Sequence, residues 1–374
     1  MKALIQTGSS LSACGHAQAG GRVPVPLKSD FLSIDQIYGM RVRKNNLQAA
    51  NDVEFNIRSQ EQQQLLEILL LDRTKSSIND PQNIIWANDN YKEYDAVSYA
   101  AKAQIRPDLI TGKQSSLIMP RALKAAALQK KRTKTKAEVF TPTWIVKKQI
   151  DAVESDYKAD DLQTYVSRKW LEITCGEAPY MATRYDMETG ELVPLAERCG
   201  FVDRKLARIN AEVKDKAEWQ CLVELAYQSS YGFEWNGDSL LLARENLLYT
   251  YRDYYIKKWR KQPMPILLNV IAKIISYNVF QMDGLTYTIP LSQTKVKKKI
   301  VQTFFPLNGT SEPETDEWEI TQGMGVKIMN WNALEMELFE TIAKPNANFA
   351  VRENALAPAQ CSDPLSEFGG ERPR

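Results

Sequence analysis

Three carboxylates close short apolar runs in chain order: Glu172 after "KWL", Glu234 after "YGF", and Asp283 in "VFQMDGL". A carboxylate at a strand end can accept two neighbouring donors at once, which suits it to the paired hydroxyls of a ribose. Glu234 is the residue expected in that role. An acid at the end of the next strand, Asp283, can accept the exocyclic amine of an adenine. Directly after Glu172 and the short link "IT" come Cys175, Gly176, Glu177, Ala178 and Pro179. A tight turn with so little side-chain bulk lets a ligand lie on the backbone. In open parallel sheets, ligands bind where the carboxyl ends of strands meet helix N-termini. The three acids and the turn together describe a pocket for an adenosine-bearing cofactor.

Strands and helices must carry these residues. "SRKWLEIT" reads as a buried strand entering the turn. "QSSYGFEWNGDSLLLARENLLYTYRDYYIKKWRK" reads as a strand, a turn and a long helix, with Asp238 as N-cap and Leu240, Ala243, Leu247, Tyr251 and Tyr254 as an apolar stripe. A further helix starts at Pro265, where a missing N–H costs little, and runs into the strand that ends at Asp283. "GVKIMNW" is another strand. Strands alternating with helices over residues 137–350 indicate an α/β core. Residues 1–45 are read as a disordered leader, 46–136 as a helical N-terminal region with a basic segment, and 352–374 as a disordered tail. Gly176 and Glu234 are 58 positions apart, whereas one βαβ step needs about 30, so residues 182–228 are read as an insertion with a hairpin at "ETGELVPL".

Composition narrows the chemistry. The only histidine is His16, which removes histidine-based metal sites and Ser–His or Cys–His pairs from the folded part. The five cysteines show no paired or metal-ligand spacing, which implies a reduced, cytoplasmic setting. No apolar run approaches the roughly 20 residues of a membrane span, and no phosphate loop of the Gly-x-x-x-x-Gly-Lys kind occurs. Neither a membrane nor a metal is therefore an expected partner. The net charge is only +2, but 121–136 holds seven basic residues and no acid. Within it, Lys130, Lys131 and Arg132 are candidates for phosphate contacts with DNA; the alternative is a solvated, solubilising run. The tyrosine row "YTYRDYY" offers either a base-stacking surface or a helix face packed on the sheet, and the second reading is preferred.

"KAEVFTP", "LEITCGEAPYM", "YGFEWNGDSLLLARENL" and "NVFQMDGL" together resemble the DNA methyltransferases that modify adenine N6. More narrowly, the chain is similar to proteins described as restriction endonuclease subunit M or adenine-specific modification methylase. The likeness spans about residues 130–285 and implies a Rossmann-like, S-adenosylmethionine-dependent methyltransferase sheet, shortened at its C-terminal end. In that family a Phe/Tyr-Thr-Pro segment covers the methionine part of S-adenosylmethionine; here it is Phe140, Thr141 and Pro142. The family's first loop, roughly Asp-Pro-x-Cys-Gly-Ser-Gly-x-Phe-Leu, corresponds to Glu172, Cys175 and Gly176 with Tyr180 and Met181 in the aromatic and Leu places. Tyr231, Gly232, Phe233 and Glu234 match the second acidic strand, and Asp283 takes the third acid's place.

The family's catalytic loop, Asn/Asp/Ser-Pro-Pro-aromatic, has no direct counterpart, because no Pro-Pro pair occurs. The nearest analogue is "IMNWN": Asn330 as acceptor for the adenine amine and Trp331 as the stacking ring, against a surface Asn and a core Trp that close a strand. The resemblance implies methyl transfer to DNA, with a restriction or specificity subunit as a further partner. The alternative is a catalytically inactive methyltransferase-fold DNA-binding or accessory subunit, which the missing Pro-Pro loop favours.

Overall fold

Side chains of a strand point alternately to its two faces, and here the alternation divides the apolar residues between two separate cores. The computed structural model describes residues 4–7, 63–120, 141–297 and 318–343. Its central sheet has the order β1-β2-β3-β4. Strands β2 (Lys169–Glu172), β3 (Ser230–Glu234) and β4 (Val279–Gln281) are parallel, and β1 (Leu4–Thr7) pairs antiparallel with β2. Trp170 and Val279 enter a large core built with helices, whereas Leu171, Tyr231, Phe233 and Phe280 face a smaller one with Ile328 and Phe339.

The large core is supplied by α1 (Gln63–Leu70), α3 (Thr143–Glu154), α4 (Leu162–Ser167), α5 (Phe201–Glu212), α6 (Lys216–Gln228), α7 (Gly237–Trp259) and α8 (Pro265–Asn278), with the short α2 (Pro107–Ile110) beside α1. The smaller core lies under the hairpin of β7 (Lys327–Asn330) and β8 (Glu335–Leu338) and under α9 (Phe339–Ala343). Between β4 and β7, β5 (Lys295–Lys297) pairs with β6 (Trp318–Ile320). The result is a mixed α/β architecture with a three-stranded parallel sheet, compatible with a Rossmann-like fold.

Helix α7 shows why "ARENL" reads as it does. The helix is enclosed on all sides rather than along one stripe, and Tyr249, Tyr251, Tyr254 and Tyr255 are all buried, so the tyrosine row is core. Arg244 has no exposure and donates to the carbonyls of Val279 (2.7 Å), Leu69 (2.5 Å), Leu71 (3.0 Å) and Ser276 (3.3 Å). One guanidinium thereby satisfies the ends of α1 and α8 and the start of β4, groups that would otherwise be buried without partners. Asn246 donates to the carbonyl of Glu177 at 3.0 Å and so reaches the first loop.

Several boundaries differ from the sequence reading. The N-cap of α7 is Asn236, not Asp238; Asp238 lies in the first turn and accepts from Asn88 (3.1 Å) and Tyr91 (2.7 Å). The supposed insertion over 182–228 contains two regular helices, α5 and α6, and only 183–199 is an excursion. Its two ends meet: Phe201 N–H donates to Tyr180 O at 2.8 Å and Val202 N–H to Met181 O at 3.0 Å. Tyr185 and Leu192 bridge antiparallel around the Thr189–Gly190 turn, as the hairpin reading expects. Residues 4–7 form an edge strand within the supposed leader. The rest of the leader, the basic segment 121–136 and the tail 352–374 lie outside the described residues. Cys175 and Cys199 are free and buried. Among the described residues, no helix is long and apolar enough to cross a membrane.

Candidate functional site

The carboxyl ends of parallel strands lie on one side of their sheet, so residues just past β2, β3 and β4 converge there. After β2 the backbone takes left-handed dihedrals at alternate residues: Thr174 (φ 47°), Gly176 (φ 59°) and Ala178 (φ 60°). Glycine adopts that region freely, while Thr and Ala do so at a cost. Such strain persists only where surrounding structure holds it, and it gathers at functional loops. The surrounding bonds are on hand. Glu172, the last residue of β2 and 1% exposed, accepts from Tyr180 N–H (3.3 Å) and Met181 N–H (3.0 Å). Cys175 N–H donates to Phe233 O at 2.8 Å. Glu172 is therefore an anchor that folds the turn back toward its own strand.

Glu234, the last residue of β3, reaches across to that turn. One carboxylate oxygen accepts from Gly176 N–H at 2.8 Å, and the other accepts from Asn236 N–H (3.1 Å) and Asn236 Nδ2 (3.3 Å). The oxygen facing Gly176 keeps a second lone pair that a hydroxyl can fill. The geometry thus joins Glu172, Cys175, Gly176 and Glu234 at one edge.

A ribbon from the N-terminal region closes over the next turn. Residues 84–87 and 101–105 run antiparallel, with Ile105 N–H donating to Ile84 O (2.9 Å), Trp86 N–H to Ala103 O (3.1 Å) and Ala87 N–H to Ala101 O (2.8 Å). Gln281, the last residue of β4, clasps Ile85: its oxygen accepts from Ile85 N–H at 2.9 Å and its amide donates to Ile85 O at 2.8 Å. Trp235 Nε1 donates to Ala87 O at 2.8 Å. Gly237 permits the approach, since a Cβ there would stand 2.1 Å from Ile85 O. Residues 84–87 are thus bridged backbone, and the described part of 46–136 is less helical than the sequence suggests.

Between the ends of β3 and β4 lies an open recess of about 200 Å³, lined by Lys102, Trp235, Asp283, Thr288 and Gln293 among others. Asp283 falls two residues beyond the end of β4, and its carboxylate accepts from Leu285 N–H at 2.9 Å. Sequence reasoning missed Trp235 and Lys102. The first follows Glu234 directly and could have been found by reading one residue further; nothing in the local pattern marks the second.

Thr141 and Pro142 approach the same edge. The Tyr180 hydroxyl donates to Gln149 of α3, and burial raises the Tyr180 pKa, with Thr141 partly opposing the rise. Thr143 donates to Asp186 at 2.9 Å and so ties the start of α3 to the excursion. Pro142 is the N-cap of α3, and Phe140 lies outside the described residues. At the neck of the excursion, Thr183 accepts from Cys199 N–H (2.7 Å) and its own N–H donates to Asp203 (2.8 Å). Asp203 has no exposure, and burial pushes its pKa up to about 6. Asp253 moves the other way: burial raises it, but Arg184 (2.9 Å) and Arg198 (2.8 Å) outweigh that and hold it below the usual range.

Asn330 and Trp331 lie away from the carboxyl end of the strands. Asn330 closes the β7–β8 turn: its oxygen accepts from Asn332 N–H (3.0 Å) and Ala333 N–H (3.2 Å), and its amide donates to Glu337 (2.6 Å). Trp331 Nε1 donates to Asn278 at 2.8 Å, and its ring stands edge-on to Tyr277, 5.8 Å between centroids. Asn278 immediately precedes β4 and donates to the carbonyls of Tyr227, Gln228 and Ser230, at the start of β3. That is the amino end of the parallel strands, opposite Glu172 and Glu234. Lys130, Lys131 and Arg132 lie outside the described residues. Among those described, no group of three or more His, Cys, Asp or Glu side chains is arranged to hold a metal ion.

Comparisons with protein-family models, with curated proteins and with solved structures find no match to the chain.

Proposed function

We propose that the carboxyl edge of β2, β3 and β4 binds S-adenosylmethionine and that the protein is a DNA methyltransferase of a restriction-modification type, acting on adenine N6. The observation that carries this reading is the 2.8 Å bond from Gly176 N–H to Glu234. It puts a tight, strained turn and a strand-end carboxylate where one adenosine would touch both. Glu234 would take the ribose hydroxyls, the Trp235 indole would lie against the adenine, and Asp283 would accept the adenine amine. Thr141 and Pro142, next to Tyr180, would flank the methionine part. In such an enzyme these residues would hold S-adenosylmethionine, which would supply the methyl group: the amine nitrogen of a flipped-out adenine would gain the methyl and lose a proton while S-adenosylhomocysteine departs, a transfer governed by positioning.

One observation favours a second reading, an inactive DNA-binding or accessory subunit. Asn330 and Trp331 sit at the opposite end of the strands from Glu172 and Glu234, which supports a chain without the catalytic loop beside its cofactor pocket. Incubating the full chain with tritiated S-adenosylmethionine and mixed duplex DNA separates the two. Label fixed in the DNA as N6-methyladenine supports the enzyme. Retained cofactor with unlabelled DNA, across added restriction-type subunits, establishes the accessory protein instead.

A further inference from the structure

The recess between β3 and β4 has a wall that the sheet domain does not supply. Lys102 belongs to the N-terminal ribbon, and its backbone sits between two rungs, Trp86 N–H to Ala103 O and Ala87 N–H to Ala101 O. The same ribbon fixes the indole that lines the recess, because Ala87 O accepts from Trp235 Nε1 at 2.8 Å. Gln281 locks Ile85 of this ribbon to the end of β4 and also donates to Trp235 O at 2.8 Å. Lys102 is thus a long, exposed cation on a rigid backbone, facing a recess whose other polar groups include Asp283 and Gln293.

We propose that Lys102 is a specificity residue for the base of the bound nucleoside, donating to a ring nitrogen of the adenine whose amine faces Asp283. The inference rests on the cofactor reading above and adds to it a contact from outside the parallel sheet. An aromatic face, one fixed acceptor and one cationic donor form a three-point match to a 6-aminopurine, which offers a π surface, an amine donor and ring-nitrogen acceptors. The ribbon would then be part of the binding site, so that pocket and N-terminal region are formed together.

The test measures binding of two probes, S-adenosylhomocysteine and 5′-methylthioadenosine, to the full chain and to Lys102→Met and Lys102→Arg. Methylthioadenosine has the base and ribose but no amino-acid carboxylate. If Lys102 reads the base, Lys102→Met weakens both probes by a similar factor, on the order of tenfold, and Lys102→Arg restores part of it. Both variants should keep the parent melting temperature, because the rungs beside Lys102 use backbone atoms only. A loss confined to S-adenosylhomocysteine would show that Lys102 meets the carboxylate and would overturn the proposal while leaving the cofactor reading intact. Parent-like affinity of Lys102→Met for both probes would overturn it as well. If the parent binds neither probe, the cofactor reading and this inference fall together.

Discussion

Replacing Glu234 by Gln keeps the side chain's shape and removes its charge, so it isolates what the carboxylate contributes. The native group accepts from Gly176 on one oxygen and from both nitrogens of Asn236 on the other. A glutamine brings only one acceptor atom, so one of those two donor sets must face an NH₂ group instead. Glu234 is 8% exposed, so the displaced donors find little water. Losing one charge-assisted bond in such a place costs about 1.5–3 kcal/mol of stability. The same substitution halves the acceptors offered to two ribose hydroxyls, which should cost binding about 1–3 kcal/mol, or roughly 5- to 150-fold in Kd. Urea unfolding measures the first quantity, and calorimetric titration with S-adenosylmethionine at a temperature where both proteins are folded measures the second. A drop in stability with an unchanged Kd would refute the reasoning, because Glu234 would then hold the turn and nothing else.

Three further outcomes are expected. The carboxyl group of Asp203 titrates near 6 in the folded protein instead of the ordinary 3.8, so the folded state keeps a proton that the unfolded chain has released. Stability should therefore fall by about 3 kcal/mol as pH rises through that window and level off above it; Asp203→Asn should abolish the slope in unfolding curves taken from pH 4 to 8, and a persisting slope would place its origin in other groups. Asn330→Ala should leave S-adenosylmethionine binding unchanged and lower stability by about 1 kcal/mol through loss of the β7–β8 turn bonds; a loss of cofactor affinity would revive a role at the site. Reversing the charges of Lys130, Lys131 and Arg132 should make the dependence of DNA affinity on salt shallower by about one slope unit for each phosphate no longer neutralised, and an identical slope would mean that the run only solubilises.

Much of the central sheet was legible because each parallel strand is a short apolar run ended by a polar side chain. Glu172 and Glu234 announce the ends of β2 and β3, and the small residues after Glu172 announce the turn. Helix α7 was legible by its length, though its burial on every side hides the amphipathic stripe and shifts the cap to Asn236. The N-terminal ribbon was only partly visible. It is held by main-chain bridges, by Gln281 and by a glycine contact at Gly237, none of which leaves a periodic signal. The excursion is shorter than the 58 positions from Gly176 to Glu234 imply, because two regular helices, α5 and α6, lie between those residues where a single βαβ step carries one. Asn330 was ambiguous for a local reason: an Asn at the end of a strand serves a turn as readily as it serves a substrate, and only the partner of Trp331, Asn278 just before β4, shows which end of the sheet it occupies.

The most direct test of the cofactor site is calorimetric titration of the full chain with S-adenosylmethionine, paired with a thermal melt of the same samples. Binding at a single site per chain, a raised melting temperature, and loss of both on Glu234→Ala are the predicted results. No binding heat and an unmoved melting temperature, at ligand concentrations well above those that saturate ordinary cofactor sites, would contradict it.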